Sequence, residues 1–87
     1  MDSRVAVISM IVEDKDSAEI LNAVLHDYGD FIIGRMGIPY RDRGIHIISV
    51  AVDAPQNTIA ALSGKLGKLP GVTVKTAYAP VISREPA

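Results

Sequence analysis

Few side chains in this 87-residue sequence are of the types that carry catalysis. Cysteine is absent, which excludes disulfides, thiolate nucleophiles and cysteine-ligated metal centres. The six serines lie in no nucleophile-elbow motif, and no spacing links them to a histidine, so a Ser-His-Asp triad is not expected. The segment Gly64 to Gly67 lacks the spacing and the following Ser or Thr of a phosphate-binding loop. We therefore predict that the protein is not an enzyme and holds no cofactor.

The only imidazole side chains, the commonest nitrogen ligands of transition metals, are His26 and His46. His26 falls in the last turn of a predicted helix, where a solvated cation is expected. His46 is in phase with Ile48 and Val50 in a predicted central strand, so we expect it to be partly buried. No metal site is favoured, and His46 is a candidate only if an oligomer gathers several copies around a symmetry axis.

Gly34-Arg35-Met36-Gly37 is the stretch whose residue types best suit a ligand. Arg35 is a charge in an otherwise apolar segment, and its planar guanidinium can bind a carboxylate or a phosphate. Gly34 and Gly37 would let a ligand or another backbone approach closely. The alternative is that Arg35 pairs with an acidic residue of another subunit and that the glycines relieve a twisted edge strand.

The second half of the chain predicts a strand, a helix and a strand that could position these residues. Ile45 to Val52 is an apolar run typical of a central strand. A helix follows with an apolar stripe of Ile59, Leu62, Leu66 and Leu69, with Pro55 at its first position and Asp53 or Ala54 as its cap. Close packing against a neighbour is the favoured role of Gly64. After Pro70-Gly71, alternation from Val72 onward predicts the last strand.

The first half repeats this unit. Arg4 to Val12 is a strand whose two alternate sets are both apolar. Asp14 or Asp16 can cap a helix over residues 15–28, with Gly29 as a left-handed residue at its end. Residues 31–38 predict a second strand ended by Pro39, and the polar turn 40–44 predicts a hairpin.

The resulting order of strands and helices predicts an α+β, ferredoxin-like βαββαβ domain. In this fold, two helices cover one face of a four-stranded antiparallel sheet, and the first and third strands are central. The domain is expected over residues 1–80, with 81–87 as a frayed tail. The uncovered face would expose on the order of several hundred Å² of apolar surface, so we predict a homo-oligomer, a dimer or a tetramer. Whether Ile47 or Ile48 points outward stays open.

Charge and hydropathy restrict the partners. The net charge is −1, with 9 Lys and Arg against 10 Asp and Glu, so no direct nucleic-acid binding is expected. No apolar run is long enough to span a membrane, and no secretory leader is recognisable. These features predict a cytoplasmic protein without a membrane partner.

The segments 35–40, 62–67 and 70–76, with Thr58-Ile59, resemble the iron-only hydrogenase system regulators, a family of stand-alone ACT-like domains. The resemblance covers nearly the whole chain and implies an oligomeric regulatory module. In ACT domains effectors bind at subunit interfaces near the first strand–helix loop, which here carries Asp14 and Asp16. The family is similar in fold to the sensory domain of nickel-responsive repressors, but the chain lacks their ribbon-helix-helix segment and their metal-site cysteine.

These observations predict a non-catalytic, ligand-sensing module, associated by resemblance with an iron-only hydrogenase system. Its ligand would be an anionic small molecule at Arg35, Gly34, Gly37, Asp14 and Asp16. The alternative is an oligomeric adaptor that binds a regulatory protein partner and no small molecule.

Overall fold

The computed structural model describes residues 2–80. Its helices and strands are β1 (Arg4–Val12), α1 (Lys15–Asp27), β2 (Ile32–Tyr40), β3 (Ile45–Ala54), α2 (Gln56–Gly67) and β4 (Val72–Tyr78), with short 3₁₀ turns at Gly29–Phe31 and Arg41–Arg43. The sheet has the order β2-β3-β1-β4, and every neighbouring pair is antiparallel. This confirms the predicted α+β ferredoxin-like fold with β1 and β3 in the centre. The predicted tail 81–87 lies outside the described residues.

One alternate set of strand residues packs under both helices. In β1 the buried set begins with Ala6 and in β3 with Ile48, because side chains two apart point to the same face of a strand. Leu21 and Leu25 of α1 and Ile59, Leu62 and Leu66 of α2 complete this core. The buried apolar residues are Ala6, Ile8, Met10, Val12, Leu21, Leu25, Ile48, Val50, Val52, Ala54, Ile59, Leu62 and Leu66.

The other face of the sheet carries the opposite alternate set, and no helix of residues 2–80 lies over it. Val5, Val7 and Ile11 of β1 are 38–44% exposed, and Ile47 of β3 is 38% exposed. Ile47 therefore points outward and Ile48 inward, which decides the alternative that the sequence left open. We call this surface the open face.

Strand β2 differs from its prediction at its end. It runs through Pro39 to Tyr40, and both residues stay in register with β3, opposite His46 and Ile45. Proline is tolerated because β2 is an edge strand, and no strand within residues 2–80 pairs with its outer side and requires an N–H donor there. A bulge between Ile32 and Gly34 adds an extra residue near its start.

The helix ends also refine the prediction. Asp14, not Asp16, is the N-cap of α1, and its side chain accepts a hydrogen bond from the Asp16 N–H at 2.8 Å. Gly29 does not have a positive φ, because Tyr28 ends α1 and a 3₁₀ turn follows directly. Pro55 precedes α2 rather than starting it, and Asp53 and Ala54 belong to β3.

The prediction that something packs closely on Gly64 is wrong for residues 2–80. Gly64 is exposed on α2, and a Cβ built there would have no heavy atom within 4 Å. The adjacent Lys65 instead links the two helices, with its Nζ 5.0 Å from the centre of the Tyr28 ring. The neighbouring Tyr28 side chain, and then the Asp27 carboxylate, raise the pKa of Lys65 above its ordinary value.

Candidate functional site

The loop between β1 and α1 is held against the turn between α2 and β4. The Glu13 N–H donates to the Gly71 carbonyl at 2.7 Å. Gly71 has a φ of 68°, and a Cβ placed on it would lie 2.8 Å from the Asp14 Cβ and 3.1 Å from the Asp14 nitrogen. A side chain at position 71 would thus collide with the N-cap of α1, so this contact requires glycine.

A buried hydroxyl adds a second tie between the same two segments. Ser17 is the only buried polar residue within 2–80, and its Oγ donates to the Pro70 carbonyl at 2.6 Å. The bond satisfies a hydroxyl that would be costly to bury without a partner. Together, these contacts fix where Asp14 and the first turn of α1 stand relative to the sheet.

A cleft of about 400 Å³ opens at this end of the sheet, between the β1–α1 loop and the β2–β3 hairpin. Its lining combines apolar residues from the strand ends with charged and polar residues from the two loops: Val12, Glu13, Asp14, Lys15, Pro39, Tyr40, Arg41, Gly44, Ile45 and His46. The volume lies in the range of small-molecule sites, and such sites commonly pair apolar walls with a few polar groups.

Charges of both signs line the cleft. Glu13 and Asp14 come from the β1–α1 loop with Lys15, while Arg41 comes from the hairpin. The Arg41 guanidinium can form two parallel hydrogen bonds to a carboxylate or a phosphate. The arrangement is suited to holding a small molecule by an anionic group against apolar walls.

His46 lies in this cleft but is exposed, so the expectation that it would be partly buried is wrong for this chain. It is in phase with Ile48 on the helix-covered side, but it precedes the part of β3 that the helices cover. Among residues 2–80, no three His, Asp or Glu side chains cluster as metal ligands would. A metal site at His46 would need ligands from another copy, as the sequence prediction already required.

Arg35 lies outside the lining of this cleft. It pairs in register with Val50, so it stands on the helix-covered side of β2, where its Nη2 donates to Asn22 Oδ1 of α1 at 2.8 Å. Pro39, which lines the cleft, is four residues further along β2, a rise of roughly 13 Å. The structure therefore does not bring Arg35 together with Asp14 within one chain.

The other predicted site residues, apart from Asp14, also lie outside the cleft lining. Gly34 and Gly37 flank Arg35, and neither would place a Cβ within 4 Å of another residue. Among residues 2–80, nothing uses the close approach that these glycines permit. Asp16 is exposed in the first turn of α1 and is outside the cleft lining. A site that joins these residues across subunits stays a prediction.

Sequence reasoning missed Tyr40 and Arg41 as site residues. The predicted topology contained the information that could have identified them. In this antiparallel sheet, the last residues of β1 and the β2–β3 hairpin lie at the same end of the strands. The hairpin residues Tyr40 and Arg41 therefore had to lie near Asp14, whereas Arg35, further back along β2, did not.

Comparison with known proteins agrees with the fold. Residues 4–76 match the sequence model of the family described as "TM1266-like: Iron-only hydrogenase system regulator, putative". The chain belongs to this family. A similar solved structure is that of the uncharacterized protein TM1266 from Thermotoga maritima, with 34% sequence identity and a TM-score of 0.84, over 87% of this chain and 96% of that chain. No curated protein matches the sequence.

The family match confirms the resemblance read from the sequence, and the family description supports a role in regulation. Within residues 2–80, no helix is long and apolar enough to cross a membrane.

Proposed function

We propose that this member of the TM1266-like family is a non-catalytic regulatory module that binds a small anionic effector in the cleft at the hairpin end of the sheet. It acts in the cytoplasm as a homo-oligomer and makes no direct contact with nucleic acid. The family description supports a regulatory role in an iron-only hydrogenase system.

The observation that carries ligand sensing is the composition of the cleft. Arg41 can hold an anionic group, while Pro39 and Ile45 offer apolar contact beside it. Asp14 is also the N-cap of α1, so a ligand that contacts it acts on the start of a helix. The β1–α1 loop contacts the α2–β4 turn at Gly71. An effector that moves this loop would therefore also act on the second half of the fold.

Thermal unfolding in the presence of free amino acids, nucleoside phosphates and divalent metal chlorides tests this proposal. A ligand at 100 times its Kd stabilises the folded state by about 2.7 kcal/mol, which corresponds to roughly 10 °C or more for a domain of this size. We expect one anionic compound to raise Tm in the wild type and to have no effect on Arg41→Ala.

Two matched variants locate the site. Arg43→Ala removes a neighbouring arginine that does not line the cleft, and it should keep the wild-type response. Arg35→Ala should also keep it. Loss of the response in Arg35→Ala with retention in Arg41→Ala would refute the cleft. It would place the effector in the groove between α1 and β2 that Asn22, His26 and Arg35 line.

The alternative function is that of an adaptor that binds a regulatory protein and no small molecule. The apolar open face favours it, because such a surface marks protein contacts. A screen in which no compound shifts Tm, together with recovery of one stoichiometric protein partner, would support the adaptor and refute effector binding.

A further inference from the structure

Residues on the open face form rows that run across the strands, because cross-strand partners share a face. One row holds three isoleucines side by side, Ile38, Ile47 and Ile11, with Thr73 at its end. We call it the ridge. Its isoleucines are 38–44% exposed, so their side chains project into solvent.

Four residues further along the strands lies a row of smaller side chains. It runs from Gly34 through Ala51 and Val7 to Ala77, each in register with the next. We call it the trough. Between ridge and trough lies a middle row of Met36, Ser49, Ser9 and Lys75. The rows are roughly 6.8 Å apart, so ridge and trough lie at equal distances on either side of the middle row.

This symmetry makes the face complementary to itself. A two-fold axis that runs along the middle row turns a second copy over and reverses its strand direction. It places the ridge of each copy opposite the trough of the other, and the middle rows opposite each other. We propose that the open face is a two-fold interface between two copies of this chain, in which each isoleucine ridge packs into the other copy's trough.

The area suits a second copy. Four strands at about 4.8 Å and, on average, about four rows at about 6.8 Å give roughly 500 Å² per copy, or about 1,000 Å² in total. This is near the lower limit for a specific protein interface. The face is also the uncovered side of the same four strands whose other side holds the core. A face-to-face pair would give the sheet apolar cover on both sides, as in sandwiches.

Charged residues lie at both ends of the face. Asp53 lies beyond the trough, in register with Val5, whereas the hairpin turn beyond the ridge carries Arg41, Asp42 and Arg43. The axis brings the Asp53 end of one copy to the hairpin end of the other, where Asp53 lies near two arginines and one aspartate of the turn. Lys75 stands at the edge of the middle row, where its long side chain reaches solvent.

Light scattering during size-exclusion chromatography measures the assembly. The wild type should have twice the chain mass of 9.3 kDa, or four times that mass if such pairs associate further. Ile47→Asp should raise the Kd of the pair by on the order of 1,000-fold, because each interface would bury two unpaired carboxylates. Ile20→Asp is the matched control, since Ile20 is 51% exposed on α1 and should tolerate the change without dissociation. A monomeric wild type, or an Ile47→Asp variant that stays paired, would overturn the inference.

The Ala51→Leu variant distinguishes an interface in which the ridge packs into the trough from one that depends only on apolar surface. It adds apolar surface to the open face but fills the trough. If the ridge packs there, the Kd should rise at least tenfold; a Kd that is unchanged or lower contradicts the ridge-in-trough arrangement. Urea unfolding of the Ile47→Asp and Ala51→Leu variants verifies that each chain is folded.

The axis itself is tested by crosslinking, which is simple here because the chain has no cysteine. Ser9 lies in the row along the axis, so Ser9→Cys should crosslink efficiently with a short bismaleimide. Asp53→Cys should not, because two copies of position 53 would be roughly 27 Å apart along the strands. The reverse result would refute this axis. Neither result depends on effector binding, so failure of the ligand screen and failure of this inference are distinguishable.

Discussion

Replacing Gly71 with alanine tests whether the tie between the β1–α1 loop and the α2–β4 turn determines the stability of the fold. The new Cβ would meet the Asp14 Cβ at 2.8 Å and the Asp14 nitrogen at 3.1 Å, so one of the two segments must move. Movement would stretch the 2.7 Å bond from Glu13 and disturb the N-cap of α1.

The expected magnitude follows from these parts. A left-handed alanine costs about 1–2 kcal/mol, a disturbed N-cap about 1 kcal/mol and a lost backbone hydrogen bond about 1 kcal/mol. Gly44→Ala is the matched control, because Gly44 has nearly the same φ, 64°, with no heavy atom within 4 Å of its built Cβ. The left-handed strain and the change in unfolded-state entropy are common to both variants, so Gly71→Ala should be less stable than Gly44→Ala by about 2 kcal/mol.

Urea unfolding followed by circular dichroism, at one fixed protein concentration, measures this difference. For a domain of this length it corresponds to roughly 8–16 °C in Tm. Asp14→Gly removes the side chain that the new methyl group at position 71 would meet and keeps an acceptable N-cap, so it should recover part of the loss in a double-mutant cycle. Equal destabilisation by Gly71→Ala and Gly44→Ala would refute the argument from the close contact.

Two other substitutions probe the helices. Gly64→Ala should stabilise the protein by about 0.5–1 kcal/mol in the same urea assay, because alanine favours a helix interior and nothing lies within 4 Å of the new methyl group; a loss of stability would mean that another copy packs on this face of α2. Lys65→Met should lower stability at neutral pH. Since the pKa of Lys65 is raised in the folded state, its contribution is fully present below the ordinary value of 10.5 and is lost as the pH rises through the folded pKa. The difference between wild type and Lys65→Met should therefore shrink only in strong alkali, and a difference that does not change with pH would refute a role for the ammonium charge.

Element order could be predicted because the apolar period changes clearly along the chain. The nearly continuous apolar run in Arg4–Val12 predicts a strand, whereas the steps of three and four through Leu21 and Leu25 predict a helix. Handedness rules then gave the strand order.

The sequence also contains the information that fixes the orientation of β3. Ile47 is in phase with Ser49, Ala51 and Asp53, which is the more polar alternate set, so it belongs on the face away from the core. The prediction that Pro39 ends β2 was wrong because it applied the rule that proline is excluded from a strand with two hydrogen-bonded neighbours. Within residues 2–80, β2 pairs with β3 alone.

The candidate site was less predictable because it depends on distance between segments. Arg35 attracted attention as a charge in an apolar run, but the structure gives it a neutral partner, Asn22, thirteen residues earlier in the chain. No local pattern indicates such a contact. Gly71 shows the same limit: its positive φ was predictable from Pro70-Gly71 before a strand, but not that Asp14 would fill the space beside it.

The cleft and the open face meet at the hairpin, which has a consequence for regulation. Tyr40 and Ile45 line the cleft, and they also form the next row of the open face beyond the isoleucine ridge. An effector that orders the hairpin would therefore act on the end of the surface through which two copies are proposed to pair. Linkage then requires reciprocity: an effector that tightens pairing by some factor is itself bound more tightly by the pair, by the same factor.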